Sequence, residues 1–188
     1  MLERLIQPLL RRLHARGHGV HSPLAYRLVR DVLYLPHSYA LYAYHEIDLA
    51  CSGMPGRHSI YPRACRLARI AAFLNPHSVY ISSGSDRIAW QVIDLVASKA
   101  RKLNGDRIAE ADMCLITSEK EVAGFLNNGR RPGSNVARIQ AVLTFGINAE
   151  SAGRIFEAAP GGILFQGKKT CMMFISSDIQ KVTYTLPF

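Results

Sequence analysis

Val79-Tyr80-Ile81-Ser82-Ser83-Gly84-Ser85-Asp86 reads as a short buried strand, a tight turn at Gly84, and the start of a long helix at Asp86. A strand–turn–helix of this kind opens nucleotide-binding α/β folds, because the free N–H groups at a helix N-terminus attract anions and polar ligand heads. The chain on either side has two characters. Before this stretch the apolar spacing is helical throughout; after it, strand-like and helix-like runs alternate.

Working backward, Leu2, Leu5, Ile6, Leu9, Leu10 and Leu13 recur at helical intervals, with Pro8 against the first turns and Gly17 and Gly19 as a stop. Ser22-Pro23 predicts an N-cap followed by proline at the first helical position, and a helix to about Tyr34. A third helix is expected over Tyr39–Cys51, a loop over Ser52–Ser59, and a fourth helix over Pro62–Leu74. Working forward, the pattern predicts strands at Val79–Ser83, Met113–Thr117, Ile139–Phe145, Gly162–Gln166 and Lys181–Leu186. Helices are expected over Asp86–Leu103, with Ile88, Val92, Ile93, Leu95 and Val96 inward, over Glu119–Asn127 and over Ala149–Ala159. Ser118 and Glu121 have the spacing of a capping box. Asn128–Asn135, with Gly129, Pro132 and Gly133, reads as a loop, and residues 170–176 fit helix or strand. Strands separated by such helices imply crossover connections and a parallel sheet.

The chain has 188 residues, enough for one domain with a substantial core. Its formal charge of +9 is uneven: residues 1–75 hold ten Lys/Arg against four Asp/Glu, the remainder thirteen against ten. Such a balance bears on association rather than on fold. Arg11, Arg12, Arg16, Arg27 and Arg30 are candidates for a phosphate-facing patch, but aromatic interleaving for base stacking is poor, which argues against sequence-specific RNA binding. Cys51, Cys65, Cys114 and Cys171 are scattered, so neither a disulfide framework nor a zinc site is implied. His14, His18 and His21 span a glycine break without a carboxylate or cysteine nearby, which favours a turn and surface role over a metal site. No apolar run suits a signal peptide or a membrane span, so a cytoplasmic protein is the expectation. His45 and Glu46 beside Tyr42 and Tyr44 could do acid–base work, but aromatics at helical spacing favour packing against the core.

The stretch His18-Gly19-Val20-His21-Ser22-Pro23-Leu24, then Val29-Arg30-Asp31-Val32-Leu33 and Tyr42-Ala43-Tyr44-His45-Glu46-Ile47, resembles the N-terminal helical segment of one family. It is similar to class I S-adenosylmethionine-dependent methyltransferase-like proteins of Bacteroidetes-type bacteria, which carry an HGVHSPF signature and a YYAYEEIE-like helix ahead of a Rossmann-like domain. The likeness extends through Arg66–Ile81, Val142–Glu157 and Gly162–Phe188. It implies a mainly parallel Rossmann-like sheet with helices on both faces and an N-terminal helical extension. The domains implied are a helical segment over 1–60 and a methyltransferase-type domain over 61–188, truncated at its C-terminal hairpin.

The resemblance also locates the departures. The family's first strand ends in an acid and a glycine-rich loop; here Ile81 or Ser82 stands at the acid position and Gly84 alone supplies a glycine. Phe145-Gly146-Ile147-Asn148 lacks the carboxylate that follows the fourth strand, and Gln166-Gly167 replaces an acidic pair after the fifth. Glu119, taken to follow the second strand, matches the position that grips the ribose hydroxyls, although a carboxylate in a first helical turn is also favoured by the helix dipole. The implied cofactor is S-adenosylmethionine, held by Ser82, Ser83, Gly84, Ser85 and Glu119, with catalysis weakened or lost. The crevice expected at the carboxyl ends of the strands is lined by Ser82–Asp86, Thr117–Glu119 and Phe145–Asn148. The alternative is a non-enzymatic interaction module whose basic helical half docks a protein or nucleic acid partner; a protein partner or a homo-oligomer is compatible with either reading.

Overall fold

In the computed structural model, residues 22–34, 40–82, 87–128, 139–167 and 170–186 are described below. The expectations for helix 2–16, the HGVHS residues before Ser22, the 128–135 loop beyond Asn128, and Ser83–Asp86 lie outside them. The described chain divides into a helical unit, which reaches to His77 and includes residues 87–100, and a sheet unit, which holds Ser78–Ser82 and everything described from Arg101 onward.

The helical unit opens as the sequence predicts. Ser22 accepts a hydrogen bond from the Ala25 N–H at 3.4 Å, and Pro23 starts α1 (Pro23–Arg27), which widens into a π-helical stretch over Leu28–Tyr34. A 3₁₀ turn at Leu41–Ala43 runs with helical dihedrals into α2 (Tyr44–Cys51). α3 spans Arg57–Leu74 and ends on Asn75, whose φ of 46° is the left-handed stop. α3 therefore begins five residues before Pro62, and the 60/61 boundary falls inside an unbroken helix. The Gly56 carbonyl accepts from Ser59 and Ile60 N–H and from the Ser59 hydroxyl, which closes the first turn ahead of the proline.

Arg69 organises this unit. Only 7% exposed, it donates through Nε to the Val32 carbonyl (2.5 Å), through Nη2 to the Leu33 carbonyl (3.1 Å) and through Nη1 to the Tyr44 hydroxyl (2.7 Å). Carbonyls near the end of the π-helical stretch thus find a cation, as helix C-termini favour. α4 (Arg87–Val96) buries Ile88, Ala89, Val92 and Ile93.

The sheet unit contains β1 (Ser78–Ile81), β2 (Arg101–Leu103), β3 (Met113–Ile116), β4 (Gln140–Phe145), β5 (Gly162–Gln166), β6 (Thr170–Ile175) and β7 (Val182–Thr185), in the order β2-β1-β3-β4-β6-β5-β7. Four of the six strand pairings are parallel; those of β6 with β4 and β5 are antiparallel. The fold is a Rossmann-like α/β arrangement with a mainly parallel sheet. Strands β1, β3 and β6 are buried along their whole length, which is why they read as continuous apolar runs rather than alternating ones.

Two expectations are corrected. The helix expected to reach Leu103 stops at Val96, and Arg101–Leu103 instead pairs with β1 as an edge strand. The ambiguous run at 170–176 is strand β6, turned back on β5 and inserted between β4 and β5, with Gly167 N–H donating to the Thr170 carbonyl at 2.9 Å. The antiparallel hairpin expected to be truncated is therefore present, and β7 lies beyond it, parallel to β5.

Register at the amino ends of β1 and β3 is pinned by side chains. Ser78 N–H donates to Asp112 Oδ2 (3.0 Å), Asp112 N–H to Ser78 Oγ (3.1 Å), and Ser78 Oγ to the Glu110 carbonyl (2.9 Å). α5 (Glu119–Asn128) and α6 (Ala149–Glu157) cover one sheet face, where Val122, Phe125, Ala152 and Phe156 pack with Cys114, Ile116, Val142, Leu164 and Met173. Phe165, Phe174 and Tyr184 form an aromatic group elsewhere on the sheet, with centroids 5.9 and 5.7 Å apart.

Candidate functional site

After β1 the chain pairs on one side as β2 and then returns on the other side as β3. The carboxyl ends of β1 and β3 therefore flank the place where strand order reverses, the position at which open α/β sheets bind ligands. Ser82 follows the last residue of β1 and Thr117 the last of β3; their hydroxyls lie 3.2 Å apart. Ser82 Oγ also donates to Glu121 Oε2 at 2.9 Å, and the Tyr80 hydroxyl donates to Glu121 Oε1 at 2.8 Å. Tyr80 and Ser82 can share this carboxylate because residues two apart on a strand face the same side.

This cluster differs from the sequence-based site. Glu121 has the spacing of a capping-box partner, but its two oxygens are directed to Tyr80 and Ser82. Burial and then the Glu121 hydrogen bond push the Tyr80 phenol up to about 12, so it stays a neutral donor at physiological pH. A carboxylate has about four acceptor sites, of which two are used here. The half-buried Glu121 can therefore accept further donors from a ligand hydroxyl or ammonium group.

Ser82 is brought into the cluster; Ser83, Gly84 and Ser85 lie outside the described residues. Glu119 is exposed at the first position of α5 and faces a different concavity, an open groove of about 430 Å³ between α5 and α6 that Leu126, Arg154 and Ile155 also line. Its expected place just after the second strand is corrected as well. The strand before Glu119 is β3, third in the chain, and the residue following β2 is Asn104. Asn148, at the expected crevice edge, caps α6 by accepting from Ser151 N–H at 2.8 Å, and Gln166 donates to the Ala149 carbonyl at 2.9 Å. Both side chains hold the loop after β4 in place.

The remaining candidates are distributed through the helical unit. Arg27 lies over the Phe73 ring at 5.6 Å, and Arg30 over Tyr26 at 5.0 Å while pairing with Asp31. Tyr44 packs inward as expected and accepts from Arg69, but Tyr42 is 69% exposed, a correction to the packing expectation. His14, His18 and His21 lie outside the described residues. Among the described residues no group of three His, Cys, Asp or Glu is placed to hold a metal ion, and no helix is long and apolar enough to cross a membrane.

Comparison with protein-family models, curated proteins and solved structures gives no match for this chain.

Proposed function

We propose that the protein is a class I S-adenosylmethionine-dependent methyltransferase-like protein, with its ligand at the carboxyl ends of β1 and β3 and with catalysis weakened or lost. The observation that carries this reading is the strand order: a reversal beside β1, combined with an antiparallel hairpin whose return strand inserts between β4 and β5. The hydroxyl and carboxylate cluster at the reversal adds support, since Glu121, Ser82 and Thr117 suit the amino and hydroxyl groups of such a ligand in kind. When bound, S-adenosylmethionine supplies an electrophilic methyl group. The chain's own part is then to orient, since positioning can provide much of the rate in such a transfer. Glu121 would accept from the ligand's donors, Ser82 and Thr117 would fix its approach, and Tyr80 would hold the carboxylate.

Isothermal titration with S-adenosylmethionine and S-adenosylhomocysteine tests the reading. Binding tighter than roughly 100 μM, about −5.5 kcal/mol, that is lost in Glu121→Ala supports it. Absence of heat at high ligand concentration refutes it. Glu119→Ala separates the two carboxylates, because on this reading Glu121 and not Glu119 meets the ligand.

A second reading, an interaction module, is favoured by a different observation. The helical unit exposes Leu41, Tyr42 and Leu49 to solvent.

A further inference from the structure

Helical dihedrals run without a break from Leu41 to Cys51, so this stretch has one inward and one outward face. Ala43, Ile47 and Cys51 are buried at i, i+4, i+8. The opposite face carries Leu41, His45 and Leu49 at the same spacing, with Tyr42 and Glu46 alongside. Leu41 is 52%, Tyr42 69% and Leu49 54% exposed, whereas the other large apolar side chains among the described residues are mostly buried. Single exposed apolar residues need no explanation, but three on one helix face form a patch of the kind that marks an interface. Polar groups border it, among them the exposed Asp48–Arg57 ion pair at 2.6 Å. An apolar centre with a polar rim is the usual anatomy of a protein–protein contact.

The order of residues on this face indicates the partner. Read in either direction it runs apolar, polar, apolar: Tyr42, then His45 and Glu46, then Leu49. A two-fold axis crossing the helix between His45 and Glu46 would set Tyr42 against Leu49 of a second copy and His45 against Glu46 of that copy. Both contacts occur twice, as an isologous interface requires. The face is thus complementary to itself in hydrophobicity and in hydrogen bonding, with an imidazole donor set against a carboxylate acceptor. We infer that the protein self-associates through the outer face of α2 and its leading turn, as antiparallel copies of this helix. Leu95, exposed on α4, which neighbours both segments, would extend the contact.

Sedimentation velocity on the full chain over a concentration series to about 100 μM tests this inference. The expected result is a concentration-dependent dimer. Leu49→Asp should return it to monomer, and His45→Glu, which sets glutamate against Glu46 of the partner, should weaken it by about tenfold. The exchange His45→Glu with Glu46→His restores the histidine–glutamate pairing across the axis and should recover the dimer. Recovery sets this geometry apart from a nonspecific loss of helix stability. A chain that stays monomeric throughout, a dimer indifferent to Leu49→Asp, or an exchange no better than the single variant would overturn the inference. Binding of this face to a different protein by a chain that remains monomeric would do so equally. None of these substitutions touches Tyr80, Ser82, Thr117 or Glu121, so the ligand titration tests the proposed function independently of the dimer.

Discussion

Replacing Glu121 by alanine removes the acceptor of two hydroxyls at the end of a buried strand. Tyr80 and Ser82 are only 6% and 5% exposed, so water replaces the lost partner poorly. A hydrogen bond to a charged group contributes about 1.5–3 kcal/mol, and a donor left unsatisfied costs about as much. The full value for two bonds overstates the effect, because Glu121 is half-buried and Ser82 keeps Thr117 at 3.2 Å. The expected loss is therefore about 2 kcal/mol for Glu121→Ala, and about 1 kcal/mol for Glu121→Gln, which keeps one acceptor oxygen. Urea unfolding at neutral pH measures both, with an unchanged slope showing that compactness is preserved. Adding Tyr80→Phe completes a double-mutant cycle, in which the pair should couple by at least roughly 0.5 kcal/mol. The Tyr80 phenol should also ionise at lower pH in Glu121→Ala, since the hydrogen bond that helps raise it is gone while burial remains. A loss of under about 0.5 kcal/mol with no coupling would show that Glu121 faces solvent rather than the strand ends, and the site would lose its anchor.

Four further outcomes are expected. Gly162 has φ of 131°, and a Cβ there would fall on the Phe174 carbonyl oxygen, so Gly162→Ala should cost about 3 kcal/mol in chemical denaturation. Arg69→Ala should lower stability by about 3 kcal/mol in thermal melts, and Arg69→Lys should recover only part, because an ammonium cannot reproduce the three-way fork to Val32, Leu33 and Tyr44. Tyr34, through burial, and Tyr80, through burial and Glu121, are both raised from 10.0 to about 12. Their contribution to stability is complete below about pH 10 and is lost as pH climbs toward 12, so an alkaline melting series should fall over that window and fall less in Tyr80→Phe. Asn148→Ala should cost about 1 kcal/mol by uncapping α6, measured by urea unfolding.

The sequence carried most of the sheet. Gly162–Gln166 was legible to the residue, because glycines bound a short apolar run, and Ser22-Pro23 announced its helix through cap chemistry. Two strands were hidden for different reasons. Ala100-Arg101-Lys102-Leu103 is built of good helix formers, and only pairing with β1 makes its last three residues a strand; tertiary context overrode propensity. Thr170–Ile175 is apolar at every position but the first, so periodicity could not tell a central strand from a buried helix. In the site, Ser82 was legible from its place at the carboxyl end of the first strand. Glu121 was not, because its spacing from Ser118 suggested a local capping role, while its partners lie 41 and 39 residues back in the chain. The signal that could have found it is the pair Tyr80 and Ser82, two hydroxyls on one face of an otherwise apolar strand that require an acceptor. The exposed face of α2 was hidden because aromatics such as Tyr42 and Tyr44 suit a core-facing stripe as well as a solvent-facing one.

The position of β6 also sets a timetable. β4 and β5 are not neighbours; each meets its inner partner only when Thr170–Ile175 slides between them. During synthesis both therefore have a bare backbone edge until Ile175 has been made, and β7 can join β5 on its far side only later still. Bare apolar edges recruit other strands, so this half of the sheet is most open to misassembly during its late completion. Losing β6 would not trim the sheet at its rim but would divide it in two.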